Sequence, residues 1–400
     1  MSKKLLLLIM FFAFMIVSTG CGGKENPGGD TPDQTPDIPT VKDKMQVVDR
    51  DGVRLGEIDS RANCTAADAG IFYSIFELAE YKPTADAEYR FFSKEDKTDV
   101  LLGTFENQGY EASYARTELG GRIYTLAVQG AVSAENVPLV LLAFDPAKRT
   151  MKAFTVSENG FPYADMTAVN GKLLIMNHEM AGIKEDRIYE FNPADETIRQ
   201  VLSFSSDTDS LRGICAAEEG FYVLRLKINN GGENEMFVDL YDKEYGKKSE
   251  QSVNEAMIRA LENGPGVTGR QDALNELGMY VLQFTVEDGR YMFYENFSVS
   301  RVILDLETGE ALLSQDDMYS VSTGNGKPVL YRMDFDPDNV EAPEITGVEN
   351  GKLVNYAFKP MDSHKLVRAV SRSNAGTWLV MTSDDAKAFS WTLAIHLWTE

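Results

Sequence analysis

Residues 212–253 read RGICAAEEGFYVLRLKINNGGENEMFVDLYDKEYGKKSEQSV. A strand of small residues, Arg212 to Ala217, meets a turn at Glu219-Gly220. FYVLRL and MFVDLYD follow as two apolar strands, and a polar turn around Tyr245-Gly246 leads into a weak, charged final strand. Short runs rich in β-branched and aromatic residues, bounded by turn residues, are strands, and four in succession make one antiparallel sheet. The plan recurs as DMTAV, KLLIM, RIYEFNP and TIRQVLSF over 165–203, and as RIYTLAV, PLVLLAFDP and TMKAFTV within 116–156. An aromatic or apolar residue, then an acid or amide, then a turn marks the same point at Phe144-Asp145, Phe191-Asn192, Tyr241-Asp242 and Leu304-Asp305.

Asp51-Gly52, Asn170-Gly171, Asn230-Gly231, Asp288-Gly289, Asn325-Gly326 and Asn350-Gly351 supply the positive φ angles that tight hairpins need. Four-stranded sheets repeating at this period are the pattern of β-propeller blades. The repeats fall near 61–105, 116–156, 165–203, 212–253, 279–314, 319–366 and 368–400. The last lacks an outer strand, and the hairpin MQVVDRDGVRLGEI at 45–58 has nowhere else to pair. The expected fold is all-β: a single β-propeller of seven four-stranded blades, its ring closed by the N-terminal strand. A two-sheet sandwich array is the competing architecture, and it predicts no strand left over at each end. Residues 252–277 break the rhythm. SVNEAMIRALENG places Val253, Met257, Ile258 and Leu261 at helical spacing, and DALNEL follows, so a short helical insertion is expected between blades four and five. It reads either as a packing excursion or as a cap beside the central channel.

The N-terminus says where the protein works. Lys3 and Lys4, the apolar run Leu5 to Val17, and Ser18-Thr19-Gly20 before Cys21 form a secretory signal ending on cysteine. The segment resembles a bacterial lipobox, with Ser18 in place of the commoner leucine. That resemblance implies cleavage after residue 20, lipidation of Cys21, and a membrane partner in the form of the bilayer itself. Gly22 to Thr40, GGKENPGGDTPDQTPDIPT, has one residue, Ile38, able to join a core and is expected to be a flexible spacer. The chain thus divides into a signal (1–20), a lipidated cysteine and linker (21–43) and a propeller (44–400). The expected location is the cell envelope, at the outer membrane or cell surface of a bacterium.

Composition excludes some functions. The formal charge is −23, and removing residues 1–20 takes two lysines and no acid, leaving −25. Such a surface repels phosphate backbones, so nucleic acid is not an expected partner. Cys64 and Cys215 show no framework spacing and are expected to be buried free thiols rather than a disulfide. The three histidines, 178, 364 and 396, belong to no metal or catalytic motif, and no cofactor or metal is expected. Glu179, Asp165 and Glu219 could in principle supply a carboxylate pair for glycan hydrolysis, but at no diagnostic spacing.

One constellation remains. In the blade register, Arg61, Arg116 and Arg212 open the innermost strands of blades one, two and four, and Arg368 or Arg372 lies near the same place in blade seven. Asp165 is the matching residue of blade three, and Tyr114, Tyr163 and Tyr319 fall close to the same rim. Guanidiniums bind carboxylate, phosphate or phenolate in pairs, and aromatic walls suit a ring-bearing ligand. The predicted ligand-binding set is Arg61, Arg116, Tyr163, Asp165, Arg212, Tyr319 and Arg372. The alternative is an Arg/Asp network that pins blades together.

Lipobox, Gly/Pro/Asp spacer and a single acidic propeller together resemble the uncharacterised propeller lipoproteins of gut Bacteroidales, including a DUF4374-like group. The resemblance implies capture of an anionic small molecule or glycan, for example a ferric siderophore, for an outer-membrane transporter. A scaffold that binds another envelope protein is the second expectation, and a hydrolase or lyase the third.

Overall fold

The computed structural model describes residues 44–60, 62–75, 78–79, 82–83, 86–105, 115–128, 137–160, 164–178, 185–229, 232–298, 300–316, 318–323, 327–333, 344–360, 366–384 and 393–399. Cys21 and the linker, and the predicted site residues Arg61 and Tyr163, lie outside them.

Seven sheets form a ring of blades. Blade 1 comprises Asn63–Ala67, Gly70–Ile75, Ala87–Ser93 and Asp99–Phe105, and a two-stranded ribbon, Leu78–Ala79 with Lys82–Pro83, sits between its second and third strands. Blade 2 comprises Arg116–Leu119, Arg122–Val128, Leu139–Asp145 and Thr150–Ser157; blade 3, Asp165–Val169, Lys172–His178, Glu185–Asn192 and Thr197–Ser205. Blade 4 comprises Asp209–Ala217, Gly220–Lys227, Glu235–Asp242 and Lys247–Ser252; blade 5, Val281–Glu287, Tyr291–Asn296, Arg301–Asp305 and Glu310–Gln315. Blade 6 comprises Tyr319–Ser322, Val329–Arg332, Ile345–Glu349 and Lys352–Asn355. Blade 7 begins with Leu366–Arg372, Thr377–Ser383 and Leu393–Thr399. First strands of neighbouring blades lie against each other around the centre. The boundaries read from sequence agree closely except in blade 6, which ends at Asn355 rather than near residue 366.

The ring closes as expected, with an additional feature. Lys44–Val48 pairs with Leu393–Thr399, and Arg54–Asp59 adds a fifth, edge strand to blade 7. The closing pair is parallel, Gln46 facing Ala394 and Val48 facing His396. Met45, Val47 and Ile58 then bury themselves with Ile71, Tyr73 and Phe92 of blade 1 and Leu379, Ile395 and Leu397 of blade 7. Hydrophobic burial of about 1.5–3 kcal/mol per large side chain makes this seam more than a hydrogen-bonded latch.

The repeated acid-or-amide signature has a local cause. Each such residue caps the hairpin between the third and fourth strands: Asp145 accepts from Lys148 N, Asn192 from Ala194 N, Asp242 from Glu244 N and Gly246 N, and Asp305 from Glu307 N. These Asx turns bring the chain to a left-handed residue, Arg149, Glu196, Tyr245 or Gly309. Asn170-Gly171 and Asn350-Gly351 hold φ of 49° and 75° at both pairs, the geometry of type I′ hairpins. Gly220 has a different role, since a Cβ there would lie 1.9 Å from the Tyr241 carbonyl oxygen.

Blades meet through aromatic layers, as where Phe144 of blade 2 packs 4.9 Å from Phe72 and 4.8 Å from Tyr89 of blade 1. The helical insertion is present as α1 (Asn254–Glu262) and α2 (Arg270–Leu277). Met257, Ile258 and Leu261 of α1 join one cluster with Leu224, Met236 and Val238 of blade 4 and Met292, Val302 and Leu304 of blade 5. The pair therefore wedges these two blades together. Glu276 of α2 accepts from Asn296 Nδ2, Ser298 Oγ and Ser300 Oγ, fixing the turn between the second and third strands of blade 5. Cys64 and Cys215 are free thiols. Burial pushes both up to about 12, so they stay neutral and behave as small core groups. Among the described residues no helix is long and apolar enough to cross a membrane.

Candidate functional site

The first strand of a blade is a sheet edge, and its unpaired N–H groups must be satisfied by the next blade or by the channel. Here side chains reach across. Asp165 Oδ2 accepts from Ile214 N (3.2 Å), Asp186 Oδ2 from Leu211 N (2.8 Å), Glu295 Oε2 from Val321 N (2.7 Å) and Ser371 Oγ from Ala66 N (2.7 Å).

Two predicted site residues are taken up by this stitching. Arg116, 9% exposed, donates to Asn63 O (3.0 Å) and Ser74 Oγ (2.9 Å) of blade 1 and lies over Phe72. Asp165 also accepts from Met166 N at 2.7 Å. Burial is the main influence on its carboxyl and pushes it up to about 6, against the two backbone donors. Tyr319 opens the first strand of blade 6 and donates to Glu344 Oε2 at 2.6 Å; burial and that carboxylate raise its phenol.

Arg372 is placed differently from the expectation. It ends its strand, whereas Arg116 and Asp165 begin theirs, so it lies at the other end of the inner strands, with its guanidinium over Trp378 (4.9 Å) and Tyr356 (5.9 Å). The residue equivalent to Arg212 is instead Arg368. Both are β-bulge residues: the ladder of blade 4 passes from Leu211 to Gly213 and that of blade 7 from Val367 to Ala369, leaving each arginine outside the pairing. A bulge re-aims a side chain. Sequence periodicity missed this because one inserted residue in a short strand of small side chains leaves no mark on the alternation. Asp165 and Glu219 also separate. One begins an inner strand and the other follows the end of the next, several residues of strand at about 3.3 Å each, which is too far for a hydrolytic pair.

Arg212 is a largely buried cation on the bulge of blade 4. Its Nε is buried without a hydrogen-bond partner, and among the described residues no carboxylate forms an ion pair with it. Burial pulls its guanidinium below the usual value, opposed by Tyr294, Tyr280 and Asp186. Asp186, 3% exposed, is near enough to be felt, yet its oxygens are engaged by Leu211 N and by His178 Nδ1 at 2.9 Å. The guanidinium lies over the Tyr280 ring at 5.5 Å, and the His178 ring meets that same ring edge-on at 6.5 Å. Blades 3 and 5 thus meet over the bulge of blade 4. Tyr280 is 45% exposed and its neighbour Met279 40%, so the site has an open apolar lip. Gly213 permits this closeness, since a Cβ on it would lie 2.8 Å from Phe284 Cβ of blade 5. Sequence reasoning missed His178, Asp186 and Tyr280. The signal for the first two was the blade 3 hairpin, whose register sets His178 opposite Asp186.

No family model matches the sequence, and no curated protein matches it. Among solved structures it is similar to the polysaccharide lyase Uly1, with a TM-score of 0.51 at 10% identity over 84% of this chain and 88% of that one. It is similar also to a putative 6-phosphogluconolactonase from Bacteroides uniformis ATCC 8492, with a TM-score of 0.43 at 13% identity over 77% of this chain and 90% of that one. A prolyl endopeptidase gives a TM-score of 0.42 at 12% identity over 84% of this chain, which spans 50% of that enzyme's length. The likeness to Uly1 is one of fold, and the chain is a seven-bladed β-propeller.

Proposed function

We propose that this protein is a lipid-anchored cell-envelope propeller that captures an anionic, ring-bearing small molecule or glycan at the channel mouth around Arg212. A membrane partner, such as an outer-membrane transporter, would receive it. The observation that carries the reading is the state of Arg212. A half-buried guanidinium with a buried Nε and no ion-paired carboxylate is costly, and in a chain of net charge −23 carboxylates are plentiful for compensation. An anion supplied from outside removes the cost. Tyr280, under the guanidinium and open to solvent, offers a face for a ring. The lipobox-like segment ending on Cys21 supports the anchor.

The test is calorimetric titration with ferric siderophores, phosphorylated metabolites and acidic glycans. Salt-sensitive binding is expected, weakened ~10–100-fold by Arg212→Ala, as loss of a charge-assisted pair of ~1.5–3 kcal/mol implies. Arg116→Ala should leave it unchanged, because that side chain is engaged within the ring. No binding across the panel would overturn the reading. Cys21→Ser should move the protein from the membrane fraction to the soluble one.

A further inference from the structure

We propose a second binding site, at the opposite end of the ring from Arg212: the cleft where blade 6 meets blade 7, under the turn at 49–53, takes a small aromatic carboxylate. The proposal stands independently of the reading of Arg212.

The cleft grows out of one row of side chains. Across the sheet of blade 7, Arg372 pairs with Trp378 and Trp378 with Trp398. Val48 of the closing strand faces His396 in parallel register, so Arg50, two residues on, comes level with Trp398, its guanidinium 5.8 Å from that ring. The row thus reads Arg, Trp, Trp, Arg. It starts where the inner strand of blade 7 ends, whereas Arg212 lies in the first half of the inner strand of blade 4. Tyr356 and Phe358, just past the last strand of blade 6, form the facing wall together with Ile345 and Ala357. Phe358 stacks on Trp398 at 5.7 Å and Trp398 on Trp378 at 5.9 Å, with planes 6° and 8° apart. Parallel rings at such centroid distances are offset, and each leaves part of its face uncovered by the next.

Charge and hydrogen bonding choose the ligand. Arg50 is exposed, and among the described residues no carboxylate forms an ion pair with it. Its hydrogen bond, from Nη2 to Ala357 O, is 3.5 Å long, at the limit of such contacts. The carboxylate of the neighbouring Asp49 is turned to its own loop, with Oδ1 accepting from Asp51 N and Val53 N. Behind the lip, Nε1 of Trp378 and Nε1 of Trp398 are both buried without a hydrogen-bond partner, and Trp378 is only 1% exposed. A donor left unmet in an apolar wall is costly. A carboxylate answers both features: it pairs with the guanidinium at the lip and brings acceptor oxygens to a wall whose two indole donors lack one.

The remaining features set the body of the ligand. A flat ring packs against the parts of Trp398 and Phe358 that the offset leaves open. Aromatic cages also hold quaternary ammonium groups, but guanidiniums already lie over these rings, Arg50 on Trp398 and Arg372 on Trp378, so a ligand cation would meet like charge. The cleft measures about 320 Å³ including its open mouth, at the small end of the ~300–1,000 Å³ of small-molecule pockets. One ring with its carboxylate fits that space better than a length of glycan.

The probe is phenylacetate, with phenylacetamide as its uncharged counterpart and choline as a cation. Two of the three tryptophans line the cleft, so the indole N–H resonances of the ¹⁵N-labelled protein report on it directly. Phenylacetate is expected to shift the Trp378 and Trp398 resonances, identified with Trp378→Phe and Trp398→Phe, and to saturate with a Kd of ~1 mM or below. Arg50→Gln, a surface change whose folding a melt checks, should weaken binding ~10-fold, and phenylacetamide should bind the parent ~10-fold more weakly. Arg212→Ala should leave phenylacetate binding unchanged. No saturable shift up to ~10 mM would overturn the site, leaving a cleft that holds solvent only. Equal binding of phenylacetamide, or stronger binding of choline, would overturn the carboxylate. Binding that leaves both indoles unmoved and is lost in Arg212→Ala would overturn this site while supporting the capture reading.

Discussion

Arg301 and Arg212 sit in adjacent blades near the same rim, and their environments are opposite. Arg301 is fully buried, with Nη2 on Glu295 Oε1 at 2.9 Å and Nη1 on Ser298 O at 2.9 Å. The other oxygen of Glu295 accepts from Ser320 Oγ and Val321 N of blade 6, so the charge of this arginine is paired within an inter-blade network, although its Nε, like that of Arg212, is buried without a partner. The corresponding carboxylate at the seam between blades 3 and 4, Asp186, bonds His178 and a backbone amide and makes no ion pair with Arg212. One guanidinium is ion-paired with a carboxylate, and among the described residues the other is not. The bulge at residue 212 is the structural cause, because it carries the side chain out of the ladder and over Tyr280.

The largest test of this contrast is Arg301→Ala. It strands a buried carboxylate and is expected to cost ~3–5 kcal/mol, read as a shift of the denaturation midpoint. An equal loss on truncating Arg212 would erase the distinction. Next comes Asp165→Asn. The folded carboxyl is held up to about 6, above the ordinary aspartate value of 3.8, so the native state binds the extra proton. Stability from this group is present below about pH 4 and is lost as pH rises to about 6, by on the order of 2 kcal/mol. Thermal melts of the variant and its parent between pH 4 and 7 should therefore converge or cross, the parent losing ground as pH rises. Arg116→Ala should cost about 1 kcal/mol from its two hydrogen bonds, measured by denaturation, without a change in ligand binding. The smallest expected stability effect is that of Arg212→Met: within about 0.5 kcal/mol of the parent, or an increase, because no native partner is lost.

The blades were legible because their turns are chemical. Asp145, Asn192, Asp242 and Asp305 cap the same hairpin each time, and the Asn-Gly pairs at 170 and 350 hold left-handed angles that few other residues accept. Arg116 and Asp165 were legible as strand-opening residues for the same reason, since the preceding turns fix the register. The site itself was less so. The choice between Arg368 and Arg372 depended on a bulge, which adds a residue without altering composition. His178 looked isolated because its orienting carboxylate is eight residues away, across a hairpin, and its aromatic neighbour is two blades further on. Contacts that exist only after the ring closes have no local signature in the chain.

The parallel pairing of Lys44–Val48 with Leu393–Thr399 also sets a timetable for biosynthesis. Of the described strands, the first to be made is among the last to find its partner, after nearly all of the described chain has been made. Until then its hydrogen-bonding edge and the apolar side chains of Met45, Val47 and Ile58 are without their seam, an unpaired edge of the kind that can pair with foreign strands. Ring closure thereby depends on residues 393–399, without which the opening hairpin has no parallel partner.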